Sequence, residues 1–138
     1  AREDIAQFTE TVVAMGVSTD LASEDAAMGM ARLMNIMQTA PDQVGNLGSA
    51  IVGLGNAGAS TESEIMEMAL RIAGAGHTVG MTEAEVLAFS SALASVGIEA
   101  ESGGSSISTA MIKISEAVNE GGDALDTFAE VAGVTADE

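Results

Sequence analysis

The sequence predicts an all-α fold of about seven short helices, antiparallel neighbours packed as an irregular bundle or as an elongated stack of helical hairpins. Three observations carry that prediction. A junction of a glycine, one aliphatic residue and a polar cap with an acid close behind recurs at Gly16-Val17-Ser18-Thr19-Asp20, Gly80-Met81-Thr82-Glu83-Ala84-Glu85 and Gly133-Val134-Thr135-Ala136-Asp137-Glu138, with a looser copy at Gly97-Ile98-Glu99-Ala100-Glu101. Between the junctions, apolar residues repeat at helical spacing. No segment sustains the period-two alternation of a strand. In each junction the glycine is expected to adopt the left-handed conformation that stops a helix, and the aliphatic residue to fold back on the turn just ended. The Ser or Thr then caps the next helix, and an acid at the third position completes a capping box.

Each element follows from its own stripe. An opening helix carries Ile5, Phe8, Val12 and Met15, and the next carries Ala26, Met30, Leu33, Met34 and Met37. Pro41, suited to a first helical turn, restarts the chain, and Val44, Leu47, Ile51 and Leu54 form the third stripe. A fourth helix begins at Thr61 with Glu64 in the box position and presents Ile65, Met68, Ala69 and Ile72. The fifth runs from Thr82 with Val86, Phe89, Leu93 and Val96. The sixth follows Gly103-Gly104 with Ile107, Met111, Ile114 and Val118, and a short seventh starts near Asp123 with Leu125, Phe128 and Ala132. The junctions are unevenly spaced, whereas a solenoid needs one period. The glycine-rich stretches Gly74 to Gly80 and Gly121-Gly122 are the expected hinges within a single helical segment, residues 1–138. Because the last junction stops at Glu138, just where another helix is expected to begin, the segment is expected to belong to a much longer chain.

Composition narrows the class. A chain of 138 residues that is 47% hydrophobic is long enough to bury a core and is not a disordered acidic tail. Only 2% is aromatic, so that core is built from Ala, Leu, Ile, Val and Met and offers little surface for stacking on a base or sugar. The net charge of -17, against four cations at Arg2, Arg32, Arg71 and Lys113, repels phosphate backbones and anionic lipid and argues against direct nucleic-acid binding. Without cysteine there is neither a disulfide framework nor a thiolate metal site. No apolar run approaches the roughly 20 residues that span a bilayer, so no membrane span is expected.

Several motifs resemble chemistry. Gly53-Leu54-Gly55-Asn56-Ala57-Gly58 satisfies the dinucleotide fingerprint, but its flanking apolar residues keep helical spacing, and no second strand ending in an acid follows. It reads better as a helix end running into a glycine-rich turn. Gly74-Ala75-Gly76-His77-Thr78-Val79-Gly80 reads as a turn between capped helices rather than a phosphate cradle. His77, the only histidine, lacks a second ligand or a partnering acid and is expected to be a polar turn residue. Of the nine methionines, Met15, Met28, Met30, Met34 and Met37 cluster near the first two helices. Met30, Met34 and Met37 share a face with Leu33 and read as core, while Met28 lies off that stripe, where a second contact surface could form. A calcium loop is absent from the sequence. Glu62, Glu64 and Glu67, like Glu83 and Glu85, sit in first turns where they complement the helix dipole and are expected to be solvated. The expectation is therefore a non-enzyme with no catalytic, cofactor-binding or metal-binding residue and no cofactor.

One pattern is more specific than any of these motifs. Leu47-Gly48-Ser49-Ala50-Ile51-Val52-Gly53-Leu54-Gly55-Asn56, then Ser60-Thr61-Glu62-Ser63-Glu64-Ile65 and Ala69-Leu70-Arg71-Ile72-Ala73-Gly74-Ala75-Gly76, resembles the core region of phage tail tape measure proteins. The likeness continues through Gly80 to Leu87, Ala92 to Ile98, Gly103-Gly104, Met111 to Ile114 and Phe128 to Thr135. It lies in the order and spacing of common residues, from about residue 20 onward. The family has no catalytic residues in this region. The resemblance implies a part of a long, mostly helical tail protein of a phage or prophage that acts as the length ruler and scaffold of tail assembly. Its implied partners are the tail tube protein, tail assembly chaperones, tail initiator or tip proteins and further copies of itself. Its implied location is the tail tube lumen of the virion, after the host cytoplasm during assembly.

Other readings remain beside it. The segment can be a platform that docks a chaperone or the tail initiator, a nucleotide-dependent fragment using Gly53 to Gly58, or a membrane-active segment in which Gly48 and Gly76 support close helix packing. The small side chains also make a second conformation inside a tube a hypothesis, to be tested by hydrogen exchange on free and assembled material.

Overall fold

The computed structural model describes residues 2–134 and is all-α: seven α-helices, with no strand among the described residues. They are α1 (Arg2–Ser18), α2 (Ser23–Met37), α3 (Val44–Ala57), α4 (Glu62–Thr78), α5 (Glu83–Ser95), α6 (Ser105–Glu120) and α7 (Gly122–Ala132). A 3-10 turn at Pro41–Gln43 leads into α3, and a π-helical turn at Ala100–Gly104 leads into α6.

The caps depend on residues close in sequence, and two of them form as the sequence predicts. The Thr61 hydroxyl accepts from the Glu64 amide while the Glu64 carboxylate accepts from the Thr61 amide, and Thr82 and Glu85 repeat the arrangement. The stops form too: Gly80 and Gly97 adopt φ of 84° and 79°, and the next amide returns to the carbonyl five residues back, Met81 to Gly76 at 2.8 Å and Ile98 to Leu93 at 3.1 Å. Gly133 closes α7 in the same way, with Val134 donating to Ala129 at 3.0 Å. The expected cap at Thr135 lies outside the described residues.

The first junction does not form. Helix α1 runs through Gly16 to Ser18, and α2 starts from Ala22 with no side-chain cap. Gly16 lacks a side chain for a packing reason, since a Cβ there would lie 2.0 Å from the Ser23 hydroxyl. The looser copy at Gly97 stops α5, but Glu99 supplies no side-chain cap to the π-helical turn. The stretch Gly74 to Gly80 is likewise not a hinge over most of its length: α4 continues to Thr78, and Gly76 lets α5 close in, a Cβ there meeting Val86 at 2.9 Å. Gly121 and Gly122, by contrast, both have positive φ, 66° and 57°, and turn the chain sharply between α6 and α7.

Helix α4 is the hub, packing against α2, α3, α5 and α6, while α1 covers α2 and α3. Its Ile65, Met68, Ala69, Ile72 and Ala73 are completely buried, together with Met30, Leu33, Val44 and Ile51 from α2 and α3. Full burial of one such aliphatic side chain contributes about 1.5–3 kcal/mol, so this cluster carries the fold. Four predicted stripes are corrected, two of them at one end only, where Ile5 of α1 is 68% exposed and Ala132 of α7 is exposed. On α5 the buried face is Val86, Leu87, Ser90 and Ser91, leaving Phe89 38% and Val96 74% exposed. Ser90 can turn inward because its hydroxyl donates to the Val86 carbonyl at 2.6 Å. On α6 no residue is fully buried: Ile107 packs on the core, but Ile114 and Val118 are exposed.

Candidate interaction surfaces

The fingerprint Gly53 to Gly58 lies at the end of α3, as its helical spacing predicts, and its middle glycine, Gly55, takes a side chain of this chain against it while Gly53 faces open space. A Cβ at Gly55 would lie 2.4 Å from the carboxyl carbon of Glu62, and one at Gly58 would lie 3.1 Å from the Leu54 carbonyl oxygen. Glu62 is buried there, which corrects its reading as a solvated first-turn acid. An acid seated over the loop opposes any phosphate approach. Ser60 joins the same region: its hydroxyl lies 3.4 Å from that of Ser91 and accepts from Ser95 at 3.2 Å, pinning the α3–α4 turn to α5.

The remaining candidates separate. His77 is exposed in the last turn of α4, not in a loop. Met15, Met30 and Met37 are buried and Met34 is half-buried, so they fill the core, whereas Met28 is 45% exposed beside a groove lined by Asp25, Arg32, Met66 and Leu70. Glu83 accepts from the Thr39 hydroxyl at 2.7 Å and ties α5 to the end of α2. Asp20 caps α4 from across the chain: the Ser63 amide donates to its Oδ1 at 3.0 Å and the Ser63 hydroxyl to its Oδ2. Burial acts to raise the Asp20 pKa, but the hydrogen bonds from Ser63 and Thr61 outweigh it and hold the carboxyl below its ordinary value. Glu85 is also lowered, first by the Thr82 amide and then by its hydroxyl. These groups are structural caps, and no His, Cys, Asp and Glu cluster suited to a metal occurs among the described residues.

The sequence reading missed how the charge is distributed in space. From Gln43 to Thr61 and from Val86 to Ile98 no residue is ionisable, and these two segments contain all of α3 and most of α5. The two helices pack side by side around a groove of about 190 Å³ lined by Leu47, Ala50, Ala84 and Leu87, with Glu83 at its edge. Asn46 also lines it, whereas Ser49 and Gly53 line a separate groove between α3 and α1 that holds Glu10. The uncharged runs were readable in the sequence; their adjacency was not.

The capping acids and packed glycines of the described residues account for the motifs that resembled chemistry. A family model for phage-related minor tail proteins matches residues 1–138. The chain belongs to this family. It therefore has a structural role in a phage tail and is associated with the virion, which fits a chain without catalysis. No curated protein and no solved structure matches it significantly. No helix of this tail protein among the described residues is long and apolar enough to cross a membrane.

Proposed function

We propose that this segment is part of the tail tape measure, the ruler and assembly scaffold around which tail-tube subunits polymerise. The observation that carries the reading is the family match over the whole chain, joined to the ordered likeness from Leu47 to Thr135. An acidic helical protein also suits a tube through which DNA passes, because it does not bind that DNA. On this reading the partners are the tail tube protein, the tail chaperones that hold the protein before assembly, and the tail initiator or tip proteins.

A second reading, a folded platform that docks a chaperone or the initiator, is favoured by one specific observation: Asp20 caps α4 from a distant turn, a tertiary contact that a continuous rod lacks. Electron microscopy of tails from a phage carrying an in-frame deletion of these residues separates the two. As one continuous helix, 138 residues at about 1.5 Å each correspond to roughly 200 Å of tail, and a shortening of that size supports the ruler. Normal-length tails remove the segment from the ruler, and failed assembly supports the platform. For the platform, a charge reversal at exposed Glu67 tests chaperone binding; buried Glu62 is unsuitable because its change disturbs the α3–α4 turn.

A further inference from the structure

The groove between α3 and α5 joins an apolar lining to a single charge. Its floor is Leu47 and Leu87, both buried, with Ala50 and Ala84 beside them. Glu83 is the one ionisable residue of the lining, and its carboxylate is held in place, because Oε1 accepts from the Thr39 hydroxyl at 2.7 Å. Among the described residues no cation pairs with Glu83, so Oε2 keeps its accepting capacity. Asn46 donates through Nδ2 to the Gln43 Oε1 at 2.8 Å, which leaves its own Oδ1 to accept. Two acceptor oxygens, one of them charged, therefore border an apolar slot. The volume of about 190 Å³ lies below the roughly 300 Å³ at which small-molecule pockets begin and holds about six waters. That is the scale of one long side chain. An arginine fork engages a carboxylate through both oxygens, and Thr39 already occupies one of them. An ammonium is a point charge with three donors and needs only single oxygens, while its four-carbon stem covers apolar surface.

We propose that this groove receives a lysine side chain presented by a partner protein, the stem laid along Leu47 and Leu87 and the ammonium donating to Glu83 and Asn46. The net charge of -17 draws such a basic segment in from a distance, and the slot then selects the residue that enters. This chain carries a single lysine, Lys113, which favours a different protein as the source. The inference is independent of the ruler and platform readings, because the chemistry of the groove carries it and its test needs only this chain and a small ammonium ion.

The test is titration of the isotope-labelled 138-residue chain with n-butylammonium, the lysine side chain without its backbone, at constant ionic strength. The methyl resonances of Leu47, Ala50, Ala84 and Leu87 are expected to shift and to saturate with a Kd on the order of 10 mM, as the size of so small a ligand allows. Ethylammonium, two methylenes shorter, is expected to bind about tenfold more weakly, and butyrate, with a similar stem and the opposite charge, not to bind. Glu83→Gln keeps an acceptor for Thr39 but removes the charge, and is expected to weaken binding about fivefold or more. Ala84→Leu fills the slot from its exposed edge and is expected to abolish binding. Glu24→Gln removes the same charge at an exposed position of α2 and is expected to leave binding within about twofold. Helix content by circular dichroism is read first, and Glu83→Gln carries the test alone where Ala84→Leu alters it. Absence of saturable shifts at these four residues below about 100 mM overturns the proposal. So does equal binding of ethylammonium, which leaves only the carboxylate, or of butyrate, which leaves only the apolar floor. Glu24→Gln weakening binding as much as Glu83→Gln overturns it too.

Discussion

Helices α1 to α5 and the C-terminal pair α6 and α7 use the same residue types, and the pair has the more one-sided apolar pattern, yet the burial runs the other way. Helix α4 buries Ile65, Met66, Met68, Ala69, Ile72 and Ala73 against neighbours on several sides. Helix α6 buries none of its residues fully and α7 only Ala129, while Ile112, Ile114, Val118 and Val131 remain exposed. Amphipathic periodicity states which face of a helix benefits from a cover. It does not state that the same segment of chain supplies one. The difference teaches that stability is concentrated around α4 and that the hairpin contributes little to it.

The sharpest way to break this comparison is to truncate one aliphatic side chain in each region. Ile72→Ala, at a completely buried position of α4, is expected to cost about 2–5 kcal/mol in chemical denaturation. Val118→Ala, at a position 52% exposed on α6, is expected to cost under about 0.5 kcal/mol. Equal costs at the two positions dispose of the idea that the hairpin is peripheral. A smaller effect comes from the two left-handed glycines Gly80 and Gly133. Replacing either by Ala introduces about 1–2 kcal/mol of local strain. At Gly80 that strain lies between α4 and α5 and should lower the global unfolding midpoint. At Gly133 it follows α7 and should appear only as faster amide exchange in α7, with the midpoint unmoved.

The smallest effect is acid sensitivity of the α4 cap. Asp20 has a pKa lowered in the folded state, so its contribution is present above the unfolded value near about 3.9 and is lost as pH falls through the folded one. Asp20→Asn is expected to flatten that part of the stability-against-pH curve below about pH 4. A variant whose acid limb matches that of the parent would show that the Ser63 contact contributes nothing.

Much of the fold was legible, and the failures have physical causes. The capping boxes at Thr61 and Thr82 and the stops at Gly80 and Gly97 were readable because each is closed by residues within a few positions of one another. Gly16 misled because a glycine that stops a helix and one that lets another segment approach look the same in sequence; only the nearness of Ser23 distinguishes them. Helix α5 misled because it is apolar nearly all round, so periodicity offered more than one face, and a serine hydroxyl satisfied within its own helix could occupy the core. The fingerprint at Gly53 to Gly58 was rejected from its spacing, but the reason for Gly55, the buried Glu62 side chain folded back against it, shows only in the folded chain.

By itself, then, the sequence determined that the chain is helical, how many helices it forms, where most of them start and stop, and that its surface is acidic, because these follow from local hydrogen bonding, side-chain spacing and composition. The tertiary structure alone decided which face of α5 is buried, that Asp20 caps a helix from another part of the chain, and that two uncharged segments lie side by side. Those outcomes depend on how closely small residues let helices approach, and that distance is set by partners remote in sequence, as where Gly48 of α3 takes Thr11 of α1 against its backbone.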